Sequence, residues 1–132
     1  MSLAGSCHCG YVQYRVDQDR LDDVANCHCS ICRRCTGGTF VTWATVPKDR
    51  LVWLTHSPAS YRATPESDRY FCPQCGAQLA LYTELAPNSI DITVATLDKV
   101  DDFAPKREIW IGSKIAWVPL SDTLVHEHEE TL

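Results

Sequence analysis

Long hydrophobic runs are missing from this 132-residue chain, and so are blocks of basic residues. The most apolar stretches, at 77–82 and 109–111, fall well short of the roughly 20 residues that an apolar helix needs to cross a bilayer, which excludes a helical membrane span. The opening segment MSLAGSCHCG has neither a basic cluster nor a long apolar stretch, so no secretory leader is expected and a cytoplasmic location is. Lys and Arg total 12 against 17 Asp and Glu, the formal net charge is -5, and no basic run exceeds Arg33-Arg34. Nucleic acid and membranes are therefore excluded as expected partners. Linkers and low-complexity tracts are also lacking, so residues 1–132 are expected to form one domain around one core.

What is present is cysteine. The eight residues are about 6% of the chain, below the ~8–10% typical of small disulfide-built secreted scaffolds. All eight fall into three groups: Cys7-x-Cys9, Cys27-x-Cys29-x-x-Cys32-x-x-Cys35 and Cys72-x-x-Cys75. A disulfide stabilises most when it closes a long loop between distant residues, whereas close pairs along the chain suit convergence of several thiolates on one cation. The spacing therefore favours metal over a disulfide framework.

Cys72 and Cys75 flank Pro73 and are followed by Gly76, the composition of a tight turn whose backbone N–H groups face the sulfurs. Residues i and i+2 of a strand share a face, so a strand through Cys7 and Cys9 is expected to present both sulfurs to one ion. Together Cys7, Cys9, Cys72 and Cys75 make a Cys₄ zinc site of structural type, joining the start of the chain to a turn more than sixty residues later. A structural zinc can supply about 10–16 kcal/mol of apparent binding energy, comparable with the whole stability of a domain.

The central group differs. Cys27, Cys29 and Cys32 offer three thiolates from one short segment, and a zinc ion with three protein ligands keeps a place for a reactant, the usual mark of a catalytic site. Cys35 has two readings: a fourth ligand, since it shares a helical face with Cys32, or a free thiol beside the site. Arg33 and Arg34 likewise either offset the thiolate charge or meet a substrate carboxylate. Strand alternation is expected to turn His8 and His28 away from the sulfurs.

Elsewhere period-two alternation and turn residues predict strands near 10–16, 39–46, 51–55, 60–63, 77–82, 90–95 and 108–111. One short helix is predicted at 30–36, stopped by Gly37-Gly38. Trp43, Trp53, Trp110 and Trp117, with Phe40 and Tyr82, are expected mostly in the core, with some lining a pocket beside the second zinc. The tail at 125–130, Val-His-Glu-His-Glu-Glu, reads as a solvated end.

The order SCHCG, CHCSICRRCTGGTF, FCPQCGAQL and IWIGSK followed by Trp117 resembles the glutathione-dependent formaldehyde-activating enzyme family, whose domain also occurs in centromere protein V. The resemblance covers about residues 5–124. It implies a mainly β, Mss4-like fold of several small coiled antiparallel sheets organised around zinc sites, with two Zn²⁺ per chain. Cys7, Cys9, Cys72 and Cys75 match the family's structural zinc; Cys27, Cys29 and Cys32 match its catalytic zinc. The implied activity is that of a carbon–sulfur lyase run in reverse: a small-molecule thiol, glutathione, condenses with a small aldehyde, formaldehyde, to S-hydroxymethylglutathione. Two rivals stay open on the residues alone: a non-catalytic zinc module of the same fold, and a redox sensor in which oxidation of Cys32 and Cys35 ejects zinc.

Overall fold

The computed structural model describes residues 1–130. Eleven strands and one short α-helix follow one another as β1 (Leu3–Ser6), β2 (Gln13–Val16), β3 (Asp23–Cys27), α1 (Ser30–Thr36), β4 (Val41–Pro47), β5 (Leu51–Trp53), β6 (Ala59–Thr64), β7 (Ser67–Phe71), β8 (Gln78–Thr83), β9 (Ser89–Thr93), β10 (Arg107–Ile109) and β11 (Val125–His126). The fold is mainly β, as expected. The strands gather into a three-stranded sheet, ordered β1-β2-β5, and an eight-stranded sheet, ordered β11-β10-β3-β4-β9-β8-β7-β6. Most pairs are antiparallel, but β10 runs parallel to both β3 and β11. Among the described residues no helix is long and apolar enough to cross a membrane.

The large sheet is apolar on both faces in its middle. Val24, Ala44, Val46, Ile90, Ile92 and Ala80 form one core with Tyr14 and Val16 of the small sheet and Val12 just before it. Ala25, Cys27, Val41 and Trp43 occupy the alternate positions and form a second core with Ile109 and Cys32 of α1. Burial on both sides explains why β3, Asp-Val-Ala-Asn-Cys, shows no alternation and escaped the period-two pattern. Burial also places the central cysteine group on the face away from the small sheet.

Register carries a row of side chains across that second face. Tyr61, Arg69, Leu81, Asp91, Thr45 and Asp23 are successive cross-strand partners on β6, β7, β8, β9, β4 and β3. Directly opposed residues share a face and neighbouring strands lie about 4.8 Å apart, and in this row Arg69 meets Cys32 of α1.

Two expectations are corrected. The strand expected over 10–16 begins only at Gln13, because Gly10 takes φ +80° and closes a turn with its N–H on the Cys7 carbonyl at 3.3 Å. Cys7 and Cys9 therefore sit in a turn rather than on a strand. The tail is largely exposed, as expected, but it is not a free end: β11 pairs with β10, and Arg107 of β10 binds Glu127 at 2.8 Å, Glu130 at 3.3 Å and Asp23 at 2.9 Å. Pairing with a neighbouring strand leaves no trace in the tail's own hydrophobic pattern.

Candidate metal centres

The first cluster is built by two similar turns. In one, the Cys7 N–H reaches the Val12 carbonyl at 3.0 Å, the Val12 N–H points at Cys7 Sγ at 3.3 Å, and Gly10 supplies the left-handed residue. In the other, the Cys72 N–H reaches Ala77 at 2.9 Å, the N–H groups of Gln74 and Cys75 point at Cys72 Sγ at 3.3 and 3.4 Å, and Gly76 has φ +79°. These turns face each other, with Cys7 and Cys9 sulfurs 3.7 Å apart and Cys9 and Cys72 sulfurs 3.8 Å apart. All four sulfurs of Cys7, Cys9, Cys72 and Cys75 lie within 4.8 Å of one another. Donation from the Ala77 N–H, reinforced by Cys9, brings Cys75 down to about 6, within the thiolate range at neutral pH.

The second cluster grows from a strand end and a helix start. Cys27 closes β3, Cys29 is the N-cap of α1 and Cys32 lies buried in its first turn. Cys29 Sγ accepts the Cys32 N–H at 3.2 Å, taking the place of the usual capping oxygen, while Gly37 at φ +75° ends the helix with its N–H on the Arg33 carbonyl at 2.8 Å. The sulfurs of Cys27 and Cys32 are 3.5 Å apart, and all three sulfurs fall within 4.8 Å. Thiol donation from Cys27 and Cys32 pulls Cys29 far below the ordinary thiol range, and the same interaction raises Cys27.

Cys35, one turn further along α1, is half-buried and lies outside this trio. The structure places it in a neighbouring cavity with Arg34 and Arg69. None of the eight cysteines forms a disulfide. His8 is exposed and belongs to neither sulfur cluster. His28 is buried between Cys27 and Cys29 with its ring turned to Glu108, Nε2 to Oε1 at 2.9 Å, while the Ser121 N–H donates to Oε2 at 2.8 Å. Burial opposes ionisation of Glu108, yet these partners hold its carboxyl below the usual range. The pair clamps β10 to the Cys27–Cys29 segment, aided by the His28 N–H on the Ile109 carbonyl at 3.0 Å.

Of the aromatic candidates, Trp43 is core and Trp117 is 72% exposed. Trp110 packs against the second core in a left-handed conformation, φ +57°, which a bulky residue adopts only under tertiary compulsion. Leu81, Asp91, Trp110 and Glu130 line a cavity of about 330 Å³ on this face. Burial pushes the Asp91 carboxyl up to about 7, while its bond from Thr45 Oγ1 at 2.6 Å pulls the other way.

Arg69 is the residue the sequence concealed. It is only 4% exposed, and its Nη2 donates to Cys32 Sγ at 3.3 Å. A guanidinium buried among neutral thiols would be strongly disfavoured, whereas anionic sulfurs compensate it. Soft donors in groups of four and three, N–H groups aimed at sulfur and this buried cation all fit a thiophilic cation such as zinc. Either cluster could hold a metal ion.

The family pattern described as glutathione-dependent formaldehyde-activating enzyme matches residues 2–113. A Halomonas elongata protein named as a candidate glutathione-dependent formaldehyde-activating enzyme is 30% identical over 128 residues, covering 91% of this chain and 82% of that protein. A crystal structure of a Rhodobacter sphaeroides protein aligns with a TM-score of 0.60 at 27% identity, covering 73% of this chain and 88% of the other. That likeness and the mainly β architecture around cysteine clusters agree with the Mss4-like fold. With the pattern spanning both sulfur clusters, the chain belongs to the glutathione-dependent formaldehyde-activating enzyme family.

Proposed function

We propose that this chain is a single-domain, zinc-dependent enzyme of carbon–sulfur chemistry, adding a thiol such as glutathione to a small aldehyde such as formaldehyde, or cleaving the adduct. The observation that carries the reading is the contrast between the clusters: four sulfurs gather at Cys7, Cys9, Cys72 and Cys75, but three at Cys27, Cys29 and Cys32, with Cys35 in a different cavity. The four would hold a structural zinc and the three a working one. When bound there, zinc lowers a thiol's pKa and stabilises negative charge developing on a carbonyl oxygen.

The chain's own residues do the rest. Arg69 offsets the negative charge of the sulfur trio, and the His28–Glu108 pair fixes the backbone from which Cys27 and Cys29 project. In the addition, the thiol proton is lost, the sulfur pair forms the bond to carbon, the carbonyl π pair moves onto oxygen, and oxygen takes a proton. The proton lost by the thiol and the proton gained by the oxygen balance through solvent. Eight unbridged cysteines suit a reducing, cytoplasmic setting.

The test is to mix zinc-loaded protein with glutathione and formaldehyde and follow adduct formation against the spontaneous reaction. Acceleration that disappears in Cys32→Ser is expected. No acceleration by wild type, or full acceleration by Cys32→Ser, contradicts the proposal.

A further inference from the structure

Seven of the eight cysteines make up the two sulfur clusters, and Cys35 belongs to neither. It is half-buried and lines a cavity of about 440 Å³ with Arg34, Tyr61, Arg69, Phe71 and Gln78, where its thiol is the one sulfur. Two of these six residues are cations and none is an acid. Coordination to a metal would occupy sulfur lone pairs in the other seven. The Cys35 sulfur stays open to a small electrophile that enters the cavity.

The polar atoms around it say which electrophile leaves a product that fits. Arg69 is 4% exposed, and its Nη2 donates to Cys32 Sγ at 3.3 Å, while Nε and Nη1 are buried without hydrogen-bond partners. Gln78 Oε1, an acceptor, is buried and unpartnered too. Buried polar groups in native proteins are nearly all paired, so this wall asks for a group that accepts from a guanidinium and also donates to an amide oxygen. An anion meets only the first demand. A hydroxyl carried on sulfur meets both: the oxygen of a sulfenic acid has lone pairs for the Arg69 N–H groups and a proton for Gln78 Oε1.

We propose that Cys35 is a hydroperoxide-reactive site, and that its oxidation product is a sulfenic acid held by Arg69 and Gln78. In the step, a sulfur electron pair of Cys35 attacks the outer oxygen of a small hydroperoxide. The S–O bond forms as the O–O bond breaks, the sulfur is oxidised by two electrons, and the peroxide is reduced to water or an alcohol. The departing oxygen takes the proton that the thiol gives up. The guanidinium groups of Arg69 and Arg34 offset the negative charge that develops on that oxygen. The product persists because no second cysteine lines the cavity to condense with it. This outcome differs from the zinc-ejecting rival, in which Cys35 pairs with Cys32. Selectivity for Cys35 rests on the metal reading of the other seven cysteines and not on thiol addition.

Zinc-loaded full-length protein is treated with stoichiometric hydrogen peroxide, the peroxide is removed with catalase, and dimedone is added to trap surviving sulfenic acid. Digestion and mass spectrometry locate the adduct, and zinc is counted before and after. An adduct at Cys35 and at no other cysteine is expected, with the zinc count unchanged, and Cys35→Ser should abolish it. Gln78→Leu removes one hydrogen bond to the product and is expected to lower the trapped fraction about two- to ten-fold with no change in zinc. Absence of the adduct from Cys35, a Cys32–Cys35 disulfide formed with loss of zinc, or an undiminished trapped fraction in Gln78→Leu overturns the proposal. The zinc count before peroxide tests the metal reading separately: protein that holds no zinc refutes that reading, while the Cys35 adduct and its dependence on Gln78 still decide this one.

Discussion

Replacing Arg69 by Met removes a buried cation while keeping much of its aliphatic bulk, and its effect should fall on one metal cluster alone. The Nη2–Sγ separation of 3.3 Å corresponds to a Coulomb attraction of about 5 kcal/mol per unit charge at an effective dielectric near 20. Desolvation of the guanidinium offsets part of that. Outer-sphere partners of metal ligands usually contribute about 10–100-fold in affinity, or about 1.4–2.7 kcal/mol. We expect a loss of that size at Cys27, Cys29 and Cys32, with no change at Cys7, Cys9, Cys72 and Cys75. Competition with a chromophoric zinc chelator resolves the two classes of ion: wild type should release its weaker ion at a given chelator concentration, and Arg69→Met should release it 10–100-fold earlier. Arg69→Lys, which restores a charge, should recover part of the difference. Release of both ions together, or an unchanged titration, would refute the role given to this arginine.

Three further outcomes follow from the same structure. Cys72→Ser removes a fully buried ligand from the four-sulfur cluster, so the variant should lose one zinc and, with about 10–16 kcal/mol at stake against a total of about 5–15, show no cooperative thermal transition by near-ultraviolet circular dichroism. Asp91→Asn should flatten the pH dependence of stability: the wild-type carboxyl titrates near 3.8 unfolded and about 7 folded, so its contribution is complete below the lower value and is lost as pH rises toward the upper. The loss is at most about 4 kcal/mol and less for a half-buried group, and urea titrations at pH 4 and pH 8 should show a smaller difference for the variant. Gly5→Ala forces a Cβ into the ring of Tyr14, which is itself buried with its hydroxyl on Thr96 at 2.7 Å, and should cost about 1–3 kcal/mol in urea denaturation.

Much of the candidate site was legible because the gathering of cysteine sulfurs is written locally. Cys72-Pro-Gln-Cys75-Gly76 can form little other than a turn, and the spacing of Cys27, Cys29 and Cys32 across a strand end and a helix cap brings their sulfurs together without distant help. The helix at Ser30–Thr36 was legible for the same reason, its stop signal at Gly37 being a backbone requirement. What escaped depends on residues far away in the chain. Arg69 lies in Ser-Asp-Arg-Tyr-Phe, a segment for which the sequence pattern predicted no strand, and only its position between Tyr61 and Leu81 in the large sheet buries it against Cys32. Glu108 is similarly a polar residue in an apolar strand until His28, eighty residues earlier, meets it. β11 exists because β10 offers an edge and Arg107 a charge, neither visible in the tail itself.

Zinc-edge X-ray absorption on the fully loaded protein, recorded before and after adding glutathione, tests the three-sulfur centre most directly. The account predicts an average of fewer than four sulfurs per ion at the start, rising toward four as the added thiol takes the remaining place. Four sulfurs per ion from the outset, unchanged by glutathione, would contradict it.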